Sequence, residues 1–495
     1  MRLLSMRLCE HDSNFCYFDG TNLRYLKSER LKKSKHHAYQ DLESWKLDLK
    51  KVWNIDIESI DEVSIIADAW KYIPDGHKYI HFAEKINYLG LKCPVWQVNH
   101  HYAHALSNLH NTSDIDIIID GYGDWDIAFS IYKEDQLIKV GKLSDYGSLG
   151  IEMTELGNRL GIQAGHYTDI SGKLMGLQSY GNIEKDFLKL LKNYEIENIK
   201  KVFDYNLWIE YKKDELLAKF TVLDWIATVH YAVGNILVKL FSRYASKDSI
   251  IHYSGGVAQN VIWNTLLVQH FPKLNILPHC ADEGLSIGGM EFLLRKNNIK
   301  NYVLENFPFC TEDESTDIVT NEIIEKTAIA LSHNKIIAWY QGNGEIGPRA
   351  LGNRSIIINA ADKFAKEKIN KIKNRENYRP FGATVLEECK NDIFENLPHN
   401  PYMLYVGKTK DKEKYASITH VDGTSRAQTI TEKSNKSLYK LMKRFYNKTN
   451  IPVVLNTSLN IAGNPIASTT QEAITLFENS DIDVLVIGNE YYEKN

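Results

Sequence analysis

Nowhere does the sequence string together the roughly 18 uncharged apolar residues that a membrane-crossing helix needs, so no span is expected. It has no pair of cysteines at CxxC spacing. The six cysteines (Cys9, Cys16, Cys93, Cys280, Cys310 and Cys389) lie far apart and read as reduced thiols in a reducing compartment. The first residues, MRLLSMRLCEHDSNF, reach His11 and Asp12 too soon to hold the apolar run of a signal peptide. Strong charge of either sign is missing too. A formal net charge of −4 gives no electrostatic ground for a dedicated nucleic-acid or membrane surface. The expectation is a cytoplasmic protein without membrane contact.

What is present is ordinary globular material, 43% hydrophobic and 25% charged over 495 residues, enough for two domains. Strand-like apolar runs alternate with helical patterns, which points to α/β architecture. Strands are expected at Asp116–Ile119, Ile127–Tyr132 and Leu137–Leu143, a meander whose first turn is the glycine-rich 120–124. A long helix is expected over Leu223–Tyr244, a strand over Ser249–Tyr253, a strand over Asn275–Leu277 and a helix from Gly284 to Lys296. The acidic, aperiodic stretch Asn301–Thr316 is the expected junction, dividing the chain into domains 1–305 and 312–495. Residues Glu184–Lys219, rich in Lys, Glu and aromatics, match no motif.

Four segments carry chemistry. In Asn99-His-His-Tyr-Ala-His-Ala105, a helix would set His100 and His104 one turn apart on the same side, where both imidazoles can reach one ion. Asp282 is a candidate third ligand; the alternative is a His-rich surface helix. Two glycine turns, 120–124 with Gly121 and Gly123 and 254–260 with Gly255, Gly256 and Asn260, can turn backbone N–H groups toward phosphate oxygens, although turn glycines are commonly structural. Arg349, Arg354, Lys373, Arg379 and Arg426 lie among Gly, Pro and aromatic residues, a setting for a shaped anion pocket. The competing reading is surface ion pairs. Finally, Val453–Asn460 is an apolar strand ending in Asn456, Thr457 and Ser458, with polar groups where α/β sheets tend to hold ligands.

Taken in order, His11-Asp12, NHHYAHA, DGYGD, ISGKLMGLQSYG, SGGVAQN, ADEGLSIG, GEIGPRALGNRSI, YRPFGATVL and NTSLNIAGNPI resemble the NodU/CmcH family of carbamoyltransferases from His11 to Ile466. The resemblance implies an actin-like ATPase-type N-terminal domain, similar to threonylcarbamoyltransferases, and a YrdC-like α/β C-terminal domain. It implies an ATP-dependent O-carbamoyltransferase. Carbamoyl phosphate is converted to carbamate, joined to AMP from ATP, and the carbamoyl-adenylate then meets an acceptor hydroxyl. By position, His100, His104 and Asp282 match metal ligands with Asp120 close by, the metal being iron(II), with manganese or magnesium as alternatives. Asp120, Gly121, Gly123, Lys173, Gly255, Gly256 and Asn260 match the nucleotide-binding positions. Arg349, Arg354, Lys373, Arg379, Arg426, Asn456 and Ser458 match the pocket for carbamoyl phosphate and nucleotide phosphates. His11, Lys35, Lys373 and Arg379 take the catalytic roles, His11 as general base.

The sequence departs from the family where Ser13-Asn14-Phe15-Cys16 replaces smaller residues after the His-Asp pair. The acceptor is expected to be a small molecule or nucleotide with a hydroxyl, and a homodimer is an open arrangement. Two rival readings are a threonylcarbamoyl-type transferase acting on nucleic acid and an inactive nucleotide-binding scaffold.

Overall fold

The computed structural model describes residues 1–8, 10–39, 43–67, 82–86, 91–109, 111–213 and 218–494. Cys9 and part of the unassigned 184–219 stretch lie outside them. Chain contacts divide the molecule into two units. The first comprises Met1–Ser28 and His36–Glu305, the second Glu29–Lys35 and Asn306–Asn495. Among the described residues, no helix is long and apolar enough to cross a membrane.

The first unit holds two sheets of matching topology. One starts as a meander of β1 (Leu3–Arg7), β2 (Asn14–Phe18) and β3 (Asn22–Lys27), all antiparallel neighbours. β4 (Glu62–Ile66) then pairs parallel to β1, and β6 (Val95–Val98) parallel to β4, while β5 (Ala83–Ile86) closes one edge. The other sheet repeats the plan: β7 (Ile115–Ile119), β8 (Ile127–Lys133) and β9 (Gln136–Lys142) form the meander. β10 (Ile251–Ser254) pairs parallel to β7 and β11 (Leu274–Asn275) parallel to β10. In both sheets the first strand of the meander is central and buried along its whole length, as a parallel-paired strand covered on two sides must be. Two copies of one five-strand plan in a single unit constitute the doubled core of an actin-like ATPase-type fold.

Helices connect these strands: α1 (His100–Leu106), α2 (Thr168–Leu177), α3 (Val222–Tyr244), α4 (Val261–His270) and α5 (Leu285–Lys296). The capping box of Thr221 and Asp224 starts α3, as the sequence predicts to within a residue. The stretch without a motif now has a structural role. Phe187 and Trp208 bury against one another at 4.9 Å in short helices beside α3.

The second unit is built on a mixed nine-strand sheet. Its centre is β13 (Arg354–Asn359) between β12 (Ile337–Tyr340) and β16 (Val453–Ser458), with β14 (Gly382–Leu386) and β15 (Thr424–Ile430) beyond β16. Successive residues alternate between two cores: Ile356 and Leu455 enter one, Ile357 and Val454 the other. Helix α6 (Ala365–Lys373) ends at Asn374, whose left-handed backbone stops it directly after Lys373. The short segment Glu29–Lys35, though early in sequence, belongs here. Fully buried Arg30 meets Asp313 Oδ2 at 3.2 Å, and its carbonyl accepts from Ser468 Oγ at 3.1 Å.

Candidate active site

Strand β6 leads directly into α1, where the Asn99 side chain accepts from the Tyr102 amide at 3.1 Å and fixes the first turn. The helical spacing then buries His100 and His104 side by side, with ring centroids 5.0 Å apart. The end of β7 presents Asp120, and the turn before α5 presents Asp282. Asp120 Oδ2 lies 3.1 Å from Nε2 of both histidines, and Asp282 Oδ1 lies 3.4 and 3.6 Å from them. One ligand atom from each of the four falls within 4.8 Å of the others. Against the desolvation cost of burial, Asp282 and Asp120 push His100 up to about 10, and the imidazoles hold both carboxylates well below their usual range. Arg7 Nη2 holds the second oxygen of Asp282 at 3.0 Å, and Ser254 Oγ lies 3.1 Å from His104 Nδ1. Two imidazoles and two carboxylates with such supports fit a first-row divalent ion.

The amides of the two glycine turns have partners within the protein. Gly121 N and Gly256 N both donate to Asp120 Oδ1, at 2.7 and 3.0 Å. Gly123 N donates to Ile127 O and Gly255 N to Cys280 O, at 2.8 and 2.7 Å. All four amides meet acceptors within the protein. Those of Gly121 and Gly256 hold the aspartate that faces the two histidines. Gly255 is required by its φ of +98°, and a Cβ on Gly256 would lie 2.8 Å from Asp120 Oδ1. Asn260 caps α4 by accepting from Ile262 N and Trp263 N, and its Nδ2 meets His230 Nε2 at 3.0 Å. Lys173, on α2, donates to Gln163 O at 2.5 Å, a local tie.

Beside the four-ligand centre lies a histidine cluster. Asp12 Oδ2 is 3.0 Å from His11 Nδ1 and 2.9 Å from His36 Nδ1. An ionised carboxylate only accepts, so it fixes a proton on each Nδ1 and leaves His11 Nε2 able to take one. Although burial opposes it, the hydrogen bond to Asp12 and the charge of Asp282 raise the pKa of His11. His166 stacks on His36 at 4.5 Å, and its own pKa is pushed down to about 4, by burial and by its two histidine neighbours. Glu10, Asp12 and His36 have positive φ, a conformation costly for these residues and common where a side chain must be aimed. Lys35 precedes His36 in the chain but belongs to the second unit.

In that unit, Lys373 is buried at the end of α6, its Nζ 2.8 Å from both the Ser458 and Asn460 carbonyls and 3.2 Å from Ser458 Oγ. Burial, then Arg375, Arg379 and Lys35, drive its pKa down. Arg426 is driven down by burial and by Arg349, Arg375 and Arg379, and its buried Nε meets no acceptor. Arg375 lies 4.1 Å above the Phe381 ring, and its pKa falls to about 9, from burial and the charge of Arg379. Asn456 donates to Thr384 Oγ1 at 2.9 Å while its buried Oδ1 has no donor. Cations gathered out of water against their mutual repulsion are stabilised by an anion. Arg354 is the exception. Its guanidinium bonds the carbonyls of Gln341, Glu314 and Gly342 at 2.7–2.9 Å and stacks on Tyr340 at 3.5 Å. These bonds make Arg354 an anchor of the loop around it.

Sequence reading did not single out Asp12, His36, His166 and Arg7 as site residues. The signal available was the His-Asp and Lys-His-His clustering; nothing in the sequence marked His166 or Arg7.

The sequence matches the family description "Carbamoyltransferase N-terminus" over residues 76–290 and "Carbamoyltransferase C-terminus" over 328–494. An uncharacterized protein of Methanocaldococcus jannaschii is 30% identical over 438 residues, 80% of this chain and 82% of that one. Nodulation protein NolNO of Sinorhizobium fredii is 28% identical over 448 residues, 80% of this chain and 64% of that one. The 3'-hydroxymethylcephem-O-carbamoyltransferase of Streptomyces clavuligerus is 30% identical over 272 residues, 52% of each chain. Among solved structures, HypF of T. kodakarensis has 13% identity and a TM-score of 0.40, covering 60% of this chain and 48% of that one.

Proposed function

The chain belongs to the carbamoyltransferase family and is a transferase enzyme, and from that premise we propose that it is an ATP-dependent O-carbamoyltransferase using a carbamoyl-adenylate. The observation that carries this reading is the gathering of Lys373, Arg349, Arg375, Arg379 and Arg426 in one neighbourhood, where burial and mutual repulsion drive the pKa values of Lys373 and Arg426 down although Glu376 lies 3.6 Å from Arg379. Carbamoyl phosphate and the ATP phosphates are the anions that such a pocket takes. Lys373, Arg379 and Arg426 orient them, with Ser458 and Asn456 beside them and Lys35 adding charge. Water cleaves carbamoyl phosphate, giving carbamate and inorganic phosphate. A carbamate oxygen then attacks the α-phosphorus of ATP and pyrophosphate leaves.

Transfer falls to the histidine and aspartate residues of the first unit. The acceptor oxygen attacks the carbamoyl carbon, its bond to the adenylate oxygen breaks, AMP departs, and the hydroxyl proton passes to His11 Nε2. Asp12 holds the His11 ring in the tautomer this needs. His100, His104, Asp120 and Asp282 would hold a divalent ion, iron(II) first with manganese or magnesium as alternatives, which supplies charge against the adenylate phosphate.

The test is pyrophosphate release from protein supplied with ATP, carbamoyl phosphate and a divalent metal. The expected result is release that requires carbamoyl phosphate and disappears in Lys373→Ala. His100→Ala should still release pyrophosphate but fail to carbamoylate an acceptor. Release independent of carbamoyl phosphate, or unaffected by Lys373→Ala, would sink the proposal.

A further inference from the structure

In front of His11 the first unit presents an aromatic mouth that the transfer chemistry does not use. Tyr122 and Tyr167 are 43% and 46% exposed. Tyr167 stands edge-on to the His11 ring at 5.8 Å and lies 4.4 Å from that of His166. Tyr122 Oη reaches Glu10 Oε2 at 3.4 Å. After burial, the charges of Glu10 and Tyr122 are what most disturb the Tyr167 phenol, so all three share one neighbourhood. A Cβ built on Gly121, between Asp120 and Tyr122, meets nothing within 4 Å, so there is room at this point.

Charge limits what can enter. A divalent ion and Arg7, whose Nη2 bonds Asp282, would bring three positive charges against Asp120 and Asp282, and Asp12 evens the count. Asp12 faces His11 and His36, and Asp169 lies 3.6 Å from His36 Nε2. Glu10 bonds Tyr122 and, among the described residues, has no cation on it. The carboxylate left over at the mouth therefore repels a phosphate and accepts from a hydroxyl or amino group.

We infer that Tyr122 and Tyr167, with Glu10 between them, form the ring subsite for the acceptor, and that it takes a ring-bearing alcohol carrying no phosphate. The two tyrosine faces hold the ring by dispersion and by its C–H edges, while Glu10 accepts from a polar substituent and turns one hydroxyl toward His11. This rests on the transfer reading above. It also weighs against acceptors that are nucleotides or nucleic acid.

Saturation-transfer NMR on the full chain tests it with three probes: a methyl glycoside, a nucleoside and that nucleoside's 5′-monophosphate. The expected result is that the glycoside or the nucleoside binds, with the monophosphate weaker than the nucleoside. Tyr167→Ala and Tyr122→Ala should each weaken binding roughly fivefold, the order for losing one aromatic face. Tyr167→Phe should retain it, and Glu10→Gln should narrow the gap between nucleoside and monophosphate. Circular dichroism and thermal melts report whether each variant is folded. Binding by no probe, binding indifferent to the tyrosines in folded variants, or tyrosine-dependent preference for the monophosphate would overturn the inference. Pyrophosphate release by the unaltered protein is measured alongside. Its absence together with tyrosine-dependent ring binding would remove the activation reading and leave the subsite standing.

Discussion

Asp120 serves two masters through its two oxygens. Oδ2 faces the imidazoles, while Oδ1 is gripped by the amides of Gly121 and Gly256. A methyl group on Gly256 would strike that second oxygen at 2.8 Å. Gly256→Ala is therefore expected to weaken binding of manganese(II) or iron(II) roughly 10- to 100-fold, the usual cost of disturbing a ligand's support, while leaving the protein folded. Isothermal titration with the metal alone measures this, and unchanged affinity would count against Asp120 as a ligand. Arg354 makes the opposite kind of claim. Arg354→Lys leaves several buried carbonyls unpaired and should cost on the order of 3 kcal/mol, read as a lower melting temperature. At this scale the sequence was most legible where one residue type at one spacing has few other uses, as with His100 and His104. It was least legible where identity is shared by different jobs. Arg354 and Arg426 look alike in sequence, yet one is consumed by carbonyls and the other faces only like charge. Only the path of the loops decides between them.

Elements followed the periodicity closely where they were long. α3 begins one residue before the expected start and ends at the expected Tyr244, because a capping box and a continuous apolar face define it. Short strands slid: the one expected at Ser249–Tyr253 runs over Ile251–Ser254, and that expected at Asn275–Leu277 is only Leu274–Asn275. Their limits are set by pairing with β7 and β10, which no local pattern encodes. The packing of α3 on α4 carries a pH signature. His230 is fully buried, stacks on Trp263 at 4.5 Å, and burial holds its pKa down to about 3. In the unfolded chain it titrates near 6.5. Below that pH the unfolded state binds a proton that the folded state refuses, so stability falls as pH drops from about 6.5 toward 3, by up to about 1.4 kcal/mol per unit from this group. Melting temperature followed against pH should show a shallower acid limb in His230→Gln than in the unaltered chain, and an identical limb would refute the assignment.

On the scale of the molecule, the doubled sheet plan was visible in sequence as two glycine turns in order, although their amides turned out to have internal partners. What could not be read was that Glu29–Lys35 folds with the second unit. Charged residues in a short helix give no hint of their destination. Arg30 supplies the cation facing buried Asp313, whose pKa burial otherwise raises. A fragment of residues 306–495 should accordingly melt below the same fragment given a synthetic peptide of residues 27–37. An Arg30→Ala peptide should leave the melting temperature unmoved. Equal effects from the two peptides would mean that Arg30 contributes nothing there.

Because the second unit is drawn from two stretches of chain, the polypeptide passes between units three times, at 28/29, 35/36 and 305/306. A protease cut in the acidic stretch after Glu305 severs only the last of these passages. The amino-terminal piece remains threaded into the other by Arg30, so the nicked protein migrates as one species on a native gel and separates only in denaturant. Cleavage here would be silent to size, and the two halves would inherit each other as a non-covalent pair held at high effective concentration.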